Sequence, residues 1–241
     1  MINLLIALAI SFVLNVLLVQ LAGLAFWVAS LISLAVFVAV FLLLTRQVMK
    51  KVGSVMETAQ RELQAGHAEK AVRTLQQALP LGKRQFDVTG QVNAQIGTVY
   101  YLKRDFAKAF EYLQKGSVRH WVAMAMLGIC YMKKNKIDKM NETFDKACMA
   151  SRKEPMVWAL HAHCLESSGD RAKAVSVLEK ALKKCGSDER LGAALEALKE
   201  GKKIRMKSFG DVWYQFHLEK PGALIKQQTR AMTGRRKMMV R

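Results

Sequence analysis

From Met1 to Thr45 the chain is a run of apolar positions without a single Asp, Glu, Lys, Arg or His. At about 1.5 Å per residue such a run makes ~66 Å of helix, roughly twice the ~30 Å hydrocarbon core of a bilayer. The pattern therefore predicts two spans turning near Gln20 to Gly23, where polar and flexible residues coincide. A cleaved secretory leader is disfavoured, because no basic segment precedes the run and the run is too long. Ala7, Ser11 and Asn15 recur every four residues on the first span, and Ala25, Ala29 and Ser33 on the second. Folded back about the turn, Ser11 falls level with Ser33 and Asn15 with Ala29. Small residues then permit close approach, and Asn15 meets protein instead of lipid.

After Thr45 the pattern changes but stays helical. Val48, Val52, Val55, Met56, Ala59 and Leu63 form one stripe, so the second span is expected to run into a further helix, with Gly53 its weak point. Ile96, Gly97 and Tyr100 then line one helix and Ala109, Leu113 and Gly116 a second, separated by the polar break Lys103-Arg104-Asp105. Such a helix pair cannot bury its apolar face alone and should recur. Met124 and Trp158, Gly128 and Ala162, Cys130 and Cys164, Met140 and Ala174, Phe144 and Leu178, and Ala147 and Ala181 each lie 34 positions apart. Gly66, Ala71, Leu75 and Ala78 make a weaker upstream copy. The step is 38 from Ala71 to Ala109 and 31 from Ala109 to Met140.

Residues 187–201 open on Ser187-Asp188-Glu189, carry Leu191, Leu195 and Leu198 on one side, and stop at Gly201, which predicts a capping helix. Beyond it Val212, Tyr214, Phe216 and Leu218 alternate with Trp213, Gln215, His217 and Glu219. Two-fold alternation predicts an extended segment.

These residues resemble the tetratricopeptide-repeat family, whose pattern has Trp, Leu-Gly and Tyr in the first helix and Ala, Phe, Ala and Pro in the second. The resemblance covers roughly Val52 to Cys185 and points to a membrane-anchored member. The expected fold is all-α: a transmembrane hairpin over residues 1–45, a juxtamembrane helix over 46–66 leading into the first repeat, about four helix pairs forming an α-solenoid over 52–186, the capping helix, and an aromatic then basic tail over 202–241. The resemblance implies binding in a groove lined by first helices, here Ala94, Gln95, Thr98, Tyr101, Ala125, Met126, Ile129, Ala159 and His163. Members that clamp a terminal carboxylate present Lys and Asn there. These small, apolar or uncharged side chains imply instead a helix or an apolar peptide as ligand.

Charge refines this picture. All 38 Lys and Arg and all 19 Asp and Glu lie from Arg46 onward, so the net charge of +19 belongs to the part outside the apolar run. Arg46, Lys50 and Lys51 follow the second span directly, which places both ends of the hairpin on the cytoplasmic side. Residues 201–241 hold eleven Lys or Arg against Asp211 and Glu219. Arg46, Lys50, Lys51, Arg235, Arg236 and Lys237 are the candidates for an anionic partner, first of all acidic membrane lipid, then an acidic protein, with nucleic acid the least of the three readings. Cys130, Cys148, Cys164 and Cys185 show no metal or redox spacing and read as reduced packing residues.

No catalytic constellation, cofactor motif or metal set stands out. His161 and His163 are two apart on a helix, so they diverge by about 200° and cannot share one ion. The spans hold no ionisable group, as a proton or ion path would need. The sequence thus predicts a non-enzymatic scaffold or adaptor that binds proteins at the cytoplasmic face of a bacterial inner membrane. Ser11, Asn15, Ala29 and Ser33 are the expected packing residues between the spans. Two alternatives are a membrane-recruited nucleic-acid or ribosome-associated factor using the basic tail, and an accessory subunit of a transport complex using Ser11, Asn15 and Ser33.

Overall fold

The computed structural model describes residues 2–21, 23 and 25–219, and among them every regular element is helical. Helices α1 (Ile2–Gln20) and α2 (Phe26–Gln64) pack against each other. Their apolar windows have mean hydropathies of 2.6 and 2.7, and only 11% of each window is buried. A core helix of a soluble protein would bury most of such a surface. These two helices are long and apolar enough to cross a membrane, and they turn that surface outward.

Helix α2 runs unbroken through Gly53 for 39 residues. Its second half is built into the repeats. Val48, Val52 and Ala59 share a core with Ala71, Val72 and Leu75 of α3 (Ala68–Gln76) and with Val88, Val92, Ile96 and Val99 of α4 (Val88–Leu102). Further helices follow as α5 (Phe106–Leu113), α6 (Trp121–Lys133), α7 (Ile137–Ala150), α8 (Pro155–Ser167), α9 (Arg171–Cys185) and α10 (Glu189–Lys199). The chain forms two compact units that divide between Ala123 and Met124, within α6.

The repeat is visible in the backbone. Between the helices of each pair one residue adopts a left-handed conformation: Gly66 at φ 83°, Arg104 at 63°, Asn135 at 55° and Gly169 at 91°. Asp105 and Asp170 follow as caps, accepting from the amides of Lys108 and Lys173 at 3.2 and 3.0 Å. The steps between the left-handed residues are again 38, 31 and 34. The long step is taken up between α3 and α4, where Leu79–Lys83 forms a 3-10 turn.

Within each pair, the close approach falls sixteen residues apart: Gly97 against Leu113, Gly128 against Phe144, and Ala162 in the same register as Leu178. A Cβ on Gly128 would stand 2.5 Å from Phe144 Cε2, so the large ring of this pair requires glycine opposite.

The segment after α10 corrects the expectation of an extended strand-like piece. It forms two short 3-10 helices, Met206–Phe209 and Asp211–Phe216, separated by Gly210 at φ 86°. Trp213 and Phe216 are buried, whereas Val212 is 49% exposed. The apolar residues that matter are thus three apart, the 3-10 period, and the two-residue alternation is coincidental.

Candidate binding surfaces

In the first unit, Ala94 and Tyr101 are fully buried, and Tyr101 meets Phe106 edge-on at 5.1 Å. Thr98 turns inward and donates to the Ala94 carbonyl at 2.8 Å. Gln95 lies 3.2 Å from His120 Nε2, while His120 Nδ1 accepts from the Ala123 amide. In the second unit, Ala125, Met126, Ile129 and Ala159 are fully buried. These small and apolar side chains therefore pack the molecule, as the resemblance does not foresee for ligand-contacting positions. A side chain with no exposed surface cannot touch a partner.

His163 is different. Its ring meets Trp213 edge-on at 5.0 Å, and one turn further along α8, Glu166 accepts from the Ile204 amide at 3.2 Å and pairs with Arg171 at 3.5 Å. Arg171 also donates to the carbonyls of Gly201 and Lys202. On α10, the Arg190 guanidinium stands 5.3 Å from the centre of the Phe209 ring and pairs with Asp188 at 2.7 Å. The chain's own segment after α10 thus occupies this face of α8. Burial pushes the His163 imidazole below its ordinary value.

Beside it on α8, His161 is 1% exposed, stacks on Phe144 at 5.1 Å, and lies 3.4 Å from Asn141 Oδ1. Burial, with smaller contributions from Lys173 and Lys180, lowers its pKa to about 4. It is neutral at physiological pH and serves packing. Glu166 and Asn141 were not singled out by sequence reasoning; Trp213 was read only as part of a two-residue alternation, whereas the 4-3 spacing of Phe209, Trp213 and Phe216 was the signal of its burial.

In the apolar hairpin, Ser11 Oγ donates to the Ser33 carbonyl at 2.8 Å, and Asn15 Nδ2 to Ser30 Oγ at 3.4 Å. Asn15 thus meets the serine next to Ala29, and Ala29 itself is buried. A cleft of about 500 Å³ lies beside this row, lined by Phe12, Phe26 and Phe37 among others. Arg46, Lys50 and Lys51 are exposed on α2. Arg235, Arg236 and Lys237 lie outside the described residues. Cys130, Cys148, Cys164 and Cys185 are free thiols, and burial raises the first to about 11. Among the described residues no three His, Cys, Asp or Glu gather as a metal set would require.

A tetratricopeptide repeat model matches residues 157–183, which is most of α8 and most of α9. Comparison with curated proteins gives no match. Among solved structures, a crystal structure of MamA is 19% identical over 58% of this chain and 83% of its own, with a TM-score of 0.44. MamA 41-end from Desulfovibrio magneticus RS-1 is 15% identical over 69% of this chain and 93% of its own, with a TM-score of 0.47.

Proposed function

We propose that this chain is a non-enzymatic scaffold anchored in a membrane by α1 and α2, with its helix pairs held at the cytoplasmic face to bind other proteins. The observation that carries this reading is the continuity of α2. Its first half is apolar and turned outward, and its second half is a core helix of the first pair. No flexible linker separates the two, so the repeats are mounted on the anchor and not merely tethered to it. The tetratricopeptide match at 157–183 supports protein binding as the activity. Arg46, Lys50 and Lys51 support the cytoplasmic orientation. The hydrogen bonds of Ser11 and Asn15 close within the hairpin, which favours a self-packed anchor over a transport-complex subunit.

In native membranes the full chain is expected to resist extraction by alkaline carbonate. Protease should digest the repeats in inside-out vesicles and spare them in right-side-out ones. Complete extraction, or the opposite protection pattern, would sink the proposal.

A further inference from the structure

The connection between α3 and α4 is four residues longer than the 34-residue period requires, and the structure shows where the extra chain goes. The Asn3 amide donates to the Arg84 carbonyl at 3.3 Å, and Thr45 Oγ1 donates to Gln85 Oε1 at 3.2 Å. Asn3 and Thr45 stand at the two ends of the uncharged leader. The loop is therefore fastened to both helices at the level where apolar chain gives way to charged chain. From Phe26 to Thr45, α2 rises about 30 Å, the thickness of a hydrocarbon core. Thr45 stands at the end of that rise, and Phe86 follows its partner Gln85 directly in the chain.

Phe86 is 64% exposed. It is presented by a fixed turn. Asp87 takes a left-handed conformation at φ 65°, and its carboxylate accepts from Ser117 Oγ at 2.9 Å. Lys83 and Arg84, both exposed, flank the ring on its N-terminal side. No Asp or Glu occurs before Glu57, and none between Glu69 and Asp87. Charge on these two stretches is basic up to Asp87, whose carboxylate follows Phe86 directly and is engaged by Ser117. Arg46 follows Thr45 directly and Arg84 precedes Gln85, so these two cations flank the Thr45–Gln85 hydrogen bond, with Lys50 and Lys51 further along α2 and Lys83 beside Arg84. An exposed aromatic ring among cations, beside two apolar helices, suits a bilayer surface: the ring enters the headgroup region while the cations hold acidic headgroups.

We infer that the loop Leu79–Phe86 is a second membrane contact, with Phe86 inserted at the interface and Lys83, Arg84, Arg46 and Lys50 forming a site for acidic phospholipid. This rests on the membrane reading of α1 and α2 proposed above.

The test uses the full chain reconstituted in phosphatidylcholine vesicles with or without phosphatidylglycerol. It carries the photo-crosslinker p-benzoylphenylalanine in place of Phe86, of Phe12 in the hairpin, or of His67 at the far end of α2. Phe12 should yield lipid adducts by mass spectrometry in both vesicles and His67 none. Phe86 should yield adducts that favour phosphatidylglycerol over phosphatidylcholine. Pairing that probe with Lys83→Gln and Arg84→Gln should lower the preference roughly tenfold. Adducts at Phe12 but none at Phe86 above the His67 level would overturn the inference and leave the anchor standing. Adducts at Phe86 without preference for the acidic lipid would overturn the headgroup site. Absence of adducts at Phe12 as well would overturn the anchor and the loop contact together.

Discussion

Gly128 shows how much of the repeat is decided by single side chains. Its missing Cβ leaves room for the Phe144 ring, which is fully buried and has nowhere to swing. The next pair solves the same problem with Ala162 and the smaller Leu178. Gly128→Ala is therefore expected to cost about 2 kcal/mol by overpacking. Adding Phe144→Leu should return part of that loss, so the double variant is more stable to denaturant than Gly128→Ala alone, although Phe144→Leu is itself destabilising. His161 sets a pH dependence. Its folded pKa of about 4 lies below the ordinary 6.5, so the folded state resists protonation that the unfolded chain accepts. Stability is full above pH 6.5 and is lost as pH falls towards 4, by up to about 3 kcal/mol. The advantage of the wild type over His161→Gln in thermal unfolding should accordingly shrink between pH 7 and pH 4.

Among the elements, α2 and the segment after α10 teach opposite lessons. The stripe from Val48 to Leu63 read as a helix continuing the apolar run, and α2 is indeed unbroken from Phe26 to Gln64, because one helical period covers both halves. Gly53 did not break it: tertiary packing of Val48, Val52 and Ala59 outweighs the ~1 kcal/mol that glycine costs a helix. The alternation over Val212 to Glu219 misled, because a period of two over a few residues also accommodates a period of three. What selects the 3-10 turns is burial of Trp213 and Phe216. Trp213 is 2% exposed and reaches His163 and Glu219, whose carboxylate accepts from Nε1 at 2.9 Å. Trp213→Ala should cost about 3 kcal/mol and open new protease cleavage between Lys202 and Glu219, measurable by limited proteolysis.

For the molecule as a whole, the apolar run and the basic positions that follow it are expected to act together on a membrane. A chain shortened to residues 46–241 separates the two contributions. It is expected to stay in solution, to sediment with phosphatidylglycerol vesicles but not with phosphatidylcholine vesicles, and to lose that binding as salt shortens the Debye length below about 8 Å. Binding to neutral vesicles, or indifference to salt, would show that charge is not what holds it.

The all-α character, the apolar leader, the helix pairs and even the irregular steps of 38 and 31 were legible in the residues, because helical period and the absence of charge are local properties of the chain. The groove was not. Ala94, Tyr101, Met126 and Ile129 have the right spacing to line a first helix, yet spacing reports only which residues share a face and not what covers that face. Covering is decided by side chains far apart in sequence. So it was tertiary structure that buried those residues, put Trp213 on His163, and brought Phe86 to the end of the apolar helices through the hydrogen bonds of Asn3 and Thr45.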